Sequence, residues 1–142
     1  MLPMRTFVSL LAAFAAGWAA TLAVHQPAVG LLHQFGFVGS APFATHATAP
    51  FGIEHVWSLA FWGGVWGIVL MLAAKRQRLM PLTLFGLVFG AIAPTLVAWF
   101  IVTPLRGQSI AQGWNSARLW IGPLVNGLWG IGTALFWRGL AR

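Results

Sequence analysis

All four histidines of this chain, His25, His33, His46 and His55, fall in one stretch, and the only acidic residue, Glu54, adjoins the last of them. Imidazole nitrogens ligate zinc, copper and haem iron, and a carboxylate completes many such sets. The residue types therefore allow a metal or haem centre built from His25, His33, His46 and His55, or a site that handles protons or substrate around Glu54. The spacing is not that of a zinc-protease helix, since His-Glu-x-x-His does not occur. Histidine also suits a membrane–water boundary, having an apolar body and a polar edge. The four rings read first as interfacial side chains, with ligation as the alternative. No cofactor is required by the sequence.

Glu54 stands alone as an acid, and the basic residues nearest to it by the topology argued below are Arg106 and Arg118. An unpaired carboxylate is costly in apolar surroundings, so an ion pair with either arginine, or the positive end of a helix, is expected to hold it. His25 would close one helix and His55 open the next, which puts both at one depth beside Glu54. A second polar group is Asn126, far inside an apolar run, for which Thr95 or a carbonyl freed by Pro94 is a natural hydrogen-bond partner. The candidate binding set is thus Glu54, His55, His25, Asn126, Thr95, Arg106 and Arg118.

Other chemistry is excluded more firmly. There is no Cys, so thiolate catalysis, disulfides and Cys-ligated metal are ruled out. No second carboxylate is present for paired acid–base work, and there is no phosphate-cradling glycine loop. The net charge of +7 comes from basic residues at the ends of apolar runs, with no clustered patch of the kind nucleic acid needs. It reads as topological charge, with some attraction to anionic lipid.

The elements that must position these residues are transmembrane helices. Only 6% of the 142 residues are charged and 59% are hydrophobic, against about 25% charged in soluble domains. So few charges cannot make a water-facing surface, and a lipid bilayer is the expected surrounding. Spans of about 20 residues predict an all-α membrane protein, a four-helix bundle in a single domain over 1–142. Its helices cover about 6–25, 54–74, 80–103 and 119–137. The first run could be taken for a signal peptide, but it is long for one and its cleavage signal is weak. The connection 25–53 carries no Lys or Arg yet is rich in Leu and Phe. It is expected to form a short interfacial helix near 29–35 and then an irregular segment lying across the outer ends of the helices. Pro94 predicts a kink in the third helix.

Arg5, Lys75, Arg76, Arg78, Arg138 and Arg142 fall on one side of this arrangement and Arg106 and Arg118 on the other, 6 against 2. The positive-inside rule then puts both termini and the 2–3 turn in the cytoplasm, in a cell inner membrane. Gly64-Val65-Trp66-Gly67-Ile68 matches Gly127-Leu128-Trp129-Gly130-Ile131, and Gly17 and Thr21-Leu22 match Gly90 and Thr95-Leu96. The pattern suggests two pseudo-repeated helical hairpins in parallel orientation. Gly63 and Gly67, like Gly86 and Gly90, are spaced for close helix contact.

The chain has the general look of a small bacterial inner-membrane protein, and no motif of a named family can be quoted from it. Small size, packing glycines and the lack of a reactive set favour a non-enzymatic accessory, assembly or scaffold subunit, with a membrane-protein partner or a second copy as its company. The alternatives are a small transporter or channel with an outer site at Glu54, and a metal- or haem-handling protein using the histidines.

Overall fold

The computed structural model describes residues 3–141, which are mostly helical, with one short hairpin and turns between the helices. Four helices are long and apolar enough to cross a membrane: α1 (Met4–Gln34), α2 (His55–Ala74), α3 (Leu82–Leu105) and α4 (Ser116–Leu140). Arg142, one of the basic residues counted above, lies outside the described residues. β1 (Ala47–Thr48) and β2 (Ile53–Glu54) pair antiparallel in the connection between α1 and α2.

α1 is longer than its sequence predicts. Pro27 does not end it, and the interfacial helix expected near 29–35 is part of the same helix, which continues through Gln26–Gln34. The reason is local. Residues Thr21–His25 are wound as a π segment, and the Gln26 N–H reaches back five residues to the Thr21 carbonyl. That wider turn admits a residue without an N–H, where a regular α-turn would clash with its ring. α3 repeats the device, with a π segment at Ala98–Val102, a five-residue return from Thr103 to Ala98, and Pro104 directly after. Pro94 lies inside the helical stretch Leu82–Val97 of α3.

α1 stops at Gly36, whose φ of 77° lies in the left-handed region. The Gly36 N–H donates to the His33 carbonyl at 3.0 Å and the Phe37 N–H to Leu32 at 2.8 Å. This is a Schellman closure, which needs a residue free of Cβ strain at that position. The chain then folds back. Phe43 N–H donates to Oε1 of buried Gln26 at 2.7 Å, and the His55 and Val56 N–H groups donate to His46 and Ala44 carbonyls. Leu32 packs with Ile121 and Val125, tying the end of α1 to the start of α4.

The helices lie side by side in the order α2, α1, α4, α3. Glycine makes the two hairpin contacts. A Cβ on Gly17 would fall on the Gly63 carbonyl and come within 3.0 Å of the Gly67 Cα. A Cβ on Gly90 would fall on the Asn126 carbonyl and come within 3.2 Å of the Gly130 Cα. Phe14 covers Gly64 as Leu87 covers Gly127. Backbones this close gain dispersion contacts that larger residues would forfeit.

The contacts between the hairpins are unequal. α1 and α4 close tightly, with Gly132 against Val24 and Ala20, and with Ala20, Leu70 and Trp129 forming a buried cluster. α2 and α3 touch only sparsely, near Trp66 and Phe89.

Candidate functional site

The sparse contact between α2 and α3 leaves a lateral groove with a volume of about 680 Å³. Its α2 wall carries Ser58, Trp62, Val65, Trp66 and Val69, and its α3 wall carries Pro94, Val97, Ala98, Ile101 and Val102. Thr21, Asn126 and Trp129 form the back. The groove rises towards the end of the molecule that holds the two long connections, where His25, Thr103, Leu105 and Arg106 line it.

The helical register explains this widening. Gly17 lies four residues before the π segment of α1, which begins at Thr21. Gly90 lies eight residues before that of α3, which begins at Ala98. α3 therefore has one more turn of helix, the turn that contains Pro94 and Thr95, and it is from this turn onward that α3 walls the groove.

Most polar atoms of the wall are already used. Thr21 Oγ1 donates to the Gly17 carbonyl at 2.9 Å and Thr103 Oγ1 to the Trp99 carbonyl at 2.7 Å. Trp129 Nε1 donates to the same Gly17 carbonyl at 3.1 Å. Asn126 Nδ2 donates to Oγ1 of buried Thr95 at 2.9 Å, and the rest of its amide is available on the groove side. At His25 the ring nitrogen Nδ1 lies 3.2 Å from Nε2 of Gln26. Gln26 Oε1 accepts from Phe43, so its Nε2 must donate. His25 Nδ1 is then the acceptor and the ring proton sits on Nε2. What remains is an apolar slot with few polar handles, the usual make-up of a ligand pocket.

A second cavity of about 450 Å³ sits above it, lined by the hairpin residues 46–50 with His55, Leu105 and Arg106. His46 and His55 stack here, ring centroids 4.8 Å apart and planes at 18°. Leu105 and Arg106 belong to both cavities, so the two adjoin at that point.

The candidate residues are thus only partly gathered. Arg106 shares the upper cavity with His55 and His46 and the groove with His25, and Asn126 bonds Thr95. Glu54 is exposed, lines neither cavity, and is not ion-paired with Arg106 or Arg118 among the described residues. Strand pairing explains its position: Glu54 lies opposite Ala47 in the hairpin. Arg118 is exposed in the first turn of α4, which Asn115 caps by accepting from the Ala117 N–H.

No protein-family model matches this chain, and neither the curated proteins nor the solved structures show a detectable relative.

The histidine set that ligation would need, the alternative reading of the sequence, is not gathered at one point. Among the described residues, no three His, Asp or Glu side chains are placed to hold one ion. His33 is turned by the Schellman closure, its Nδ1 lying 3.1 Å from the Val38 carbonyl, and only His46 and His55 meet face to face. Sequence reasoning passed over Thr21, Gln26, Trp66 and Trp129 as site residues. The matching Gly-x-Trp-Gly segments were the signal that both tryptophans stand at equivalent and central positions.

Proposed function

We propose that this chain is a non-enzymatic integral protein of the inner (cytoplasmic) membrane, serving as an accessory or scaffold component, and that it holds the hydrocarbon chain of a bilayer lipid in the groove between α2 and α3. In this reading it is a four-helix bundle of two pseudo-repeated hairpins. Support for the bilayer setting comes from the four apolar helices and from large apolar side chains turned outward along them, such as Ile92 and Leu135, each 53% exposed. Support for the repeat comes from the matched glycine contacts at Gly17 and Gly90.

The observation that carries the reading is the open seam. A two-fold repeat makes the α1–α4 and α3–α2 contacts equivalent. One is closed by small residues, and the other is held apart along a mostly apolar slot. In a bilayer, the apolar guest at hand for a slot open between two helices is a lipid hydrocarbon chain, and the lining from Ser58 to Val69 and from Pro94 to Val102 is almost wholly apolar.

Transport through an outer site at Glu54 has less support, because Glu54 lines neither cavity. Metal handling is weakened by the scattered histidines.

Native mass spectrometry of protein released from mild detergent tests the groove. The wild type should retain a lipid. Val97→Trp, which puts an indole into the slot, should lose it. A wild type that carries no more lipid than Val97→Trp would overturn the proposal.

A further inference from the structure

We infer that the lipid is selected by its head: the upper cavity takes an anionic phosphate headgroup on Arg106, beside the stacked His46 and His55, while the chain lies in the groove below. This rests on the reading of the groove as a lipid site and names the class of lipid.

The need for a polar anchor follows from the bilayer itself. A hydrocarbon chain is as well solvated among lipid tails as in a protein groove, so its transfer brings little hydrophobic gain. Selective retention must then come from the polar end, where the two cavities adjoin. Arg106 lines both. Its guanidinium is always charged, and its fork of N–H donors matches the oxygens of a phosphate in a bidentate pair.

The electrostatics around that cation favour an anion. Neither cavity is lined by an acidic residue, and the chain's only acid, Glu54, is exposed and unpaired with Arg106 among the described residues. An arginine whose charge no carboxylate of the protein neutralises is free to pair with an incoming one. α2 begins at His55, so the positive end of its macrodipole also faces this cavity. His46 and His55 offer ring nitrogens that donate to phosphate oxygens when protonated at those positions. A volume of about 450 Å³ is ample for a headgroup, and its continuity with the slot at Leu105 and Arg106 gives the lipid one path from head to chain.

The test uses the full chain in mixed micelles of phosphatidylglycerol and phosphatidylcholine, equimolar and with matched acyl chains. Native mass spectrometry counts the lipid retained by the wild type, Arg106→Gln and Val97→Trp. Both lipids carry the phosphate, so the wild type should prefer phosphatidylglycerol roughly tenfold because the choline cation of the other lipid repels Arg106 and partly neutralises its own phosphate. Arg106→Gln, an exposed position at which the fold is not at risk, should lose the preference for phosphatidylglycerol. Val97→Trp should retain neither lipid.

Equal retention of the two lipids by the wild type would overturn the headgroup assignment and leave the groove reading standing. A persistent preference in Arg106→Gln would overturn the role of Arg106. Absence of any retained lipid from the wild type would overturn the groove reading itself. Binding of inorganic phosphate that Arg106→Gln abolishes, with no preference between the lipids, would show a free-anion site and overturn the inference.

Discussion

Trp129 donates from Nε1 to the carbonyl oxygen of Gly17 at 3.1 Å, joining the second hairpin to the first across the middle of the molecule. Gly17 has no side chain to hold α2 away, and its carbonyl oxygen also takes the backbone N–H of Thr21. The same oxygen accepts from Thr21 Oγ1 at 2.9 Å. Trp129 is only 3% exposed, so its N–H has no solvent to fall back on.

Trp129→Phe should therefore cost about 2–3 kcal/mol, the lost hydrogen bond together with the cavity left where a phenyl ring replaces a buried indole, although Thr21 still serves the carbonyl. Trp66→Phe, at the matching position of the first hairpin, should cost less. Trp66 meets Phe89 through its ring, with centroids 6.0 Å apart at 66°, and that contact survives the change. Equilibrium unfolding in mixed micelles would compare the two. A larger loss for Trp66→Phe would contradict the assigned asymmetry.

Gly17→Ala and Gly90→Ala should both weaken the fold, by about 1–3 kcal/mol each, the range for overpacking a tight contact. In both, the new methyl meets backbone of the facing helix, which cannot rotate away. Gly39→Ala is the control, because nothing lies within 4 Å of a Cβ there. Thermal shift of the purified proteins should separate the first two from the third. A Gly90→Ala protein as stable as Gly39→Ala would show that the second hairpin is not held by its glycine contact.

Much of this architecture can be read from residue types. Apolar runs give the four helices, and glycines four apart mark the faces that meet. Asn126 and Thr95 are a pair that sequence alone suggests, because a buried amide in an apolar helix has few partners to choose from. The length of α1 is not legible, since Pro27 carries the signal of a helix end and only the preceding π segment lets the helix pass it. The histidines mislead for a similar reason. They are close in sequence, but the turn at Gly36 and the hairpin send His33 and Glu54 away from the cavities. The groove itself is hidden by the matching Gly-x-Trp-Gly segments, because they imply matching seams. Only the extra turn of α3 around Pro94 hints that one seam differs.

Asn126 and Thr95 should be coupled energetically. Asn126→Leu, Thr95→Val and the double variant form a cycle in which each single change removes the 2.9 Å bond. Hydrogen bonds between membrane helices average about 0.6 kcal/mol and reach about 1.7. A coupling in that range is expected, towards the upper end because Thr95 is 2% exposed. Strict additivity of the two single changes would mean that the bond contributes nothing to the contact of α3 with α4.

The absence of cysteine gives a clean way to test the proposed orientation, since any introduced thiol is the only one in the chain. Leu79 is 92% exposed in the turn between α2 and α3, beside Lys75, Arg76 and Arg78. Gly39 lies in the connection at the opposite end, with open space around it. The basic turn should stay in the cytoplasm because arginine and lysine next to apolar helices resist translocation. Leu79→Cys should then react with a membrane-impermeant maleimide only after the cells are permeabilised, and Gly39→Cys should react in intact cells. The two sites lie at opposite ends of α2, so a single inversion of the protein would exchange both results. Labelling of Leu79→Cys in intact cells would reverse the orientation and move Arg106 and its cavity to the cytoplasmic leaflet. Failure of both sites to react after permeabilisation would argue against the exposure of these connections.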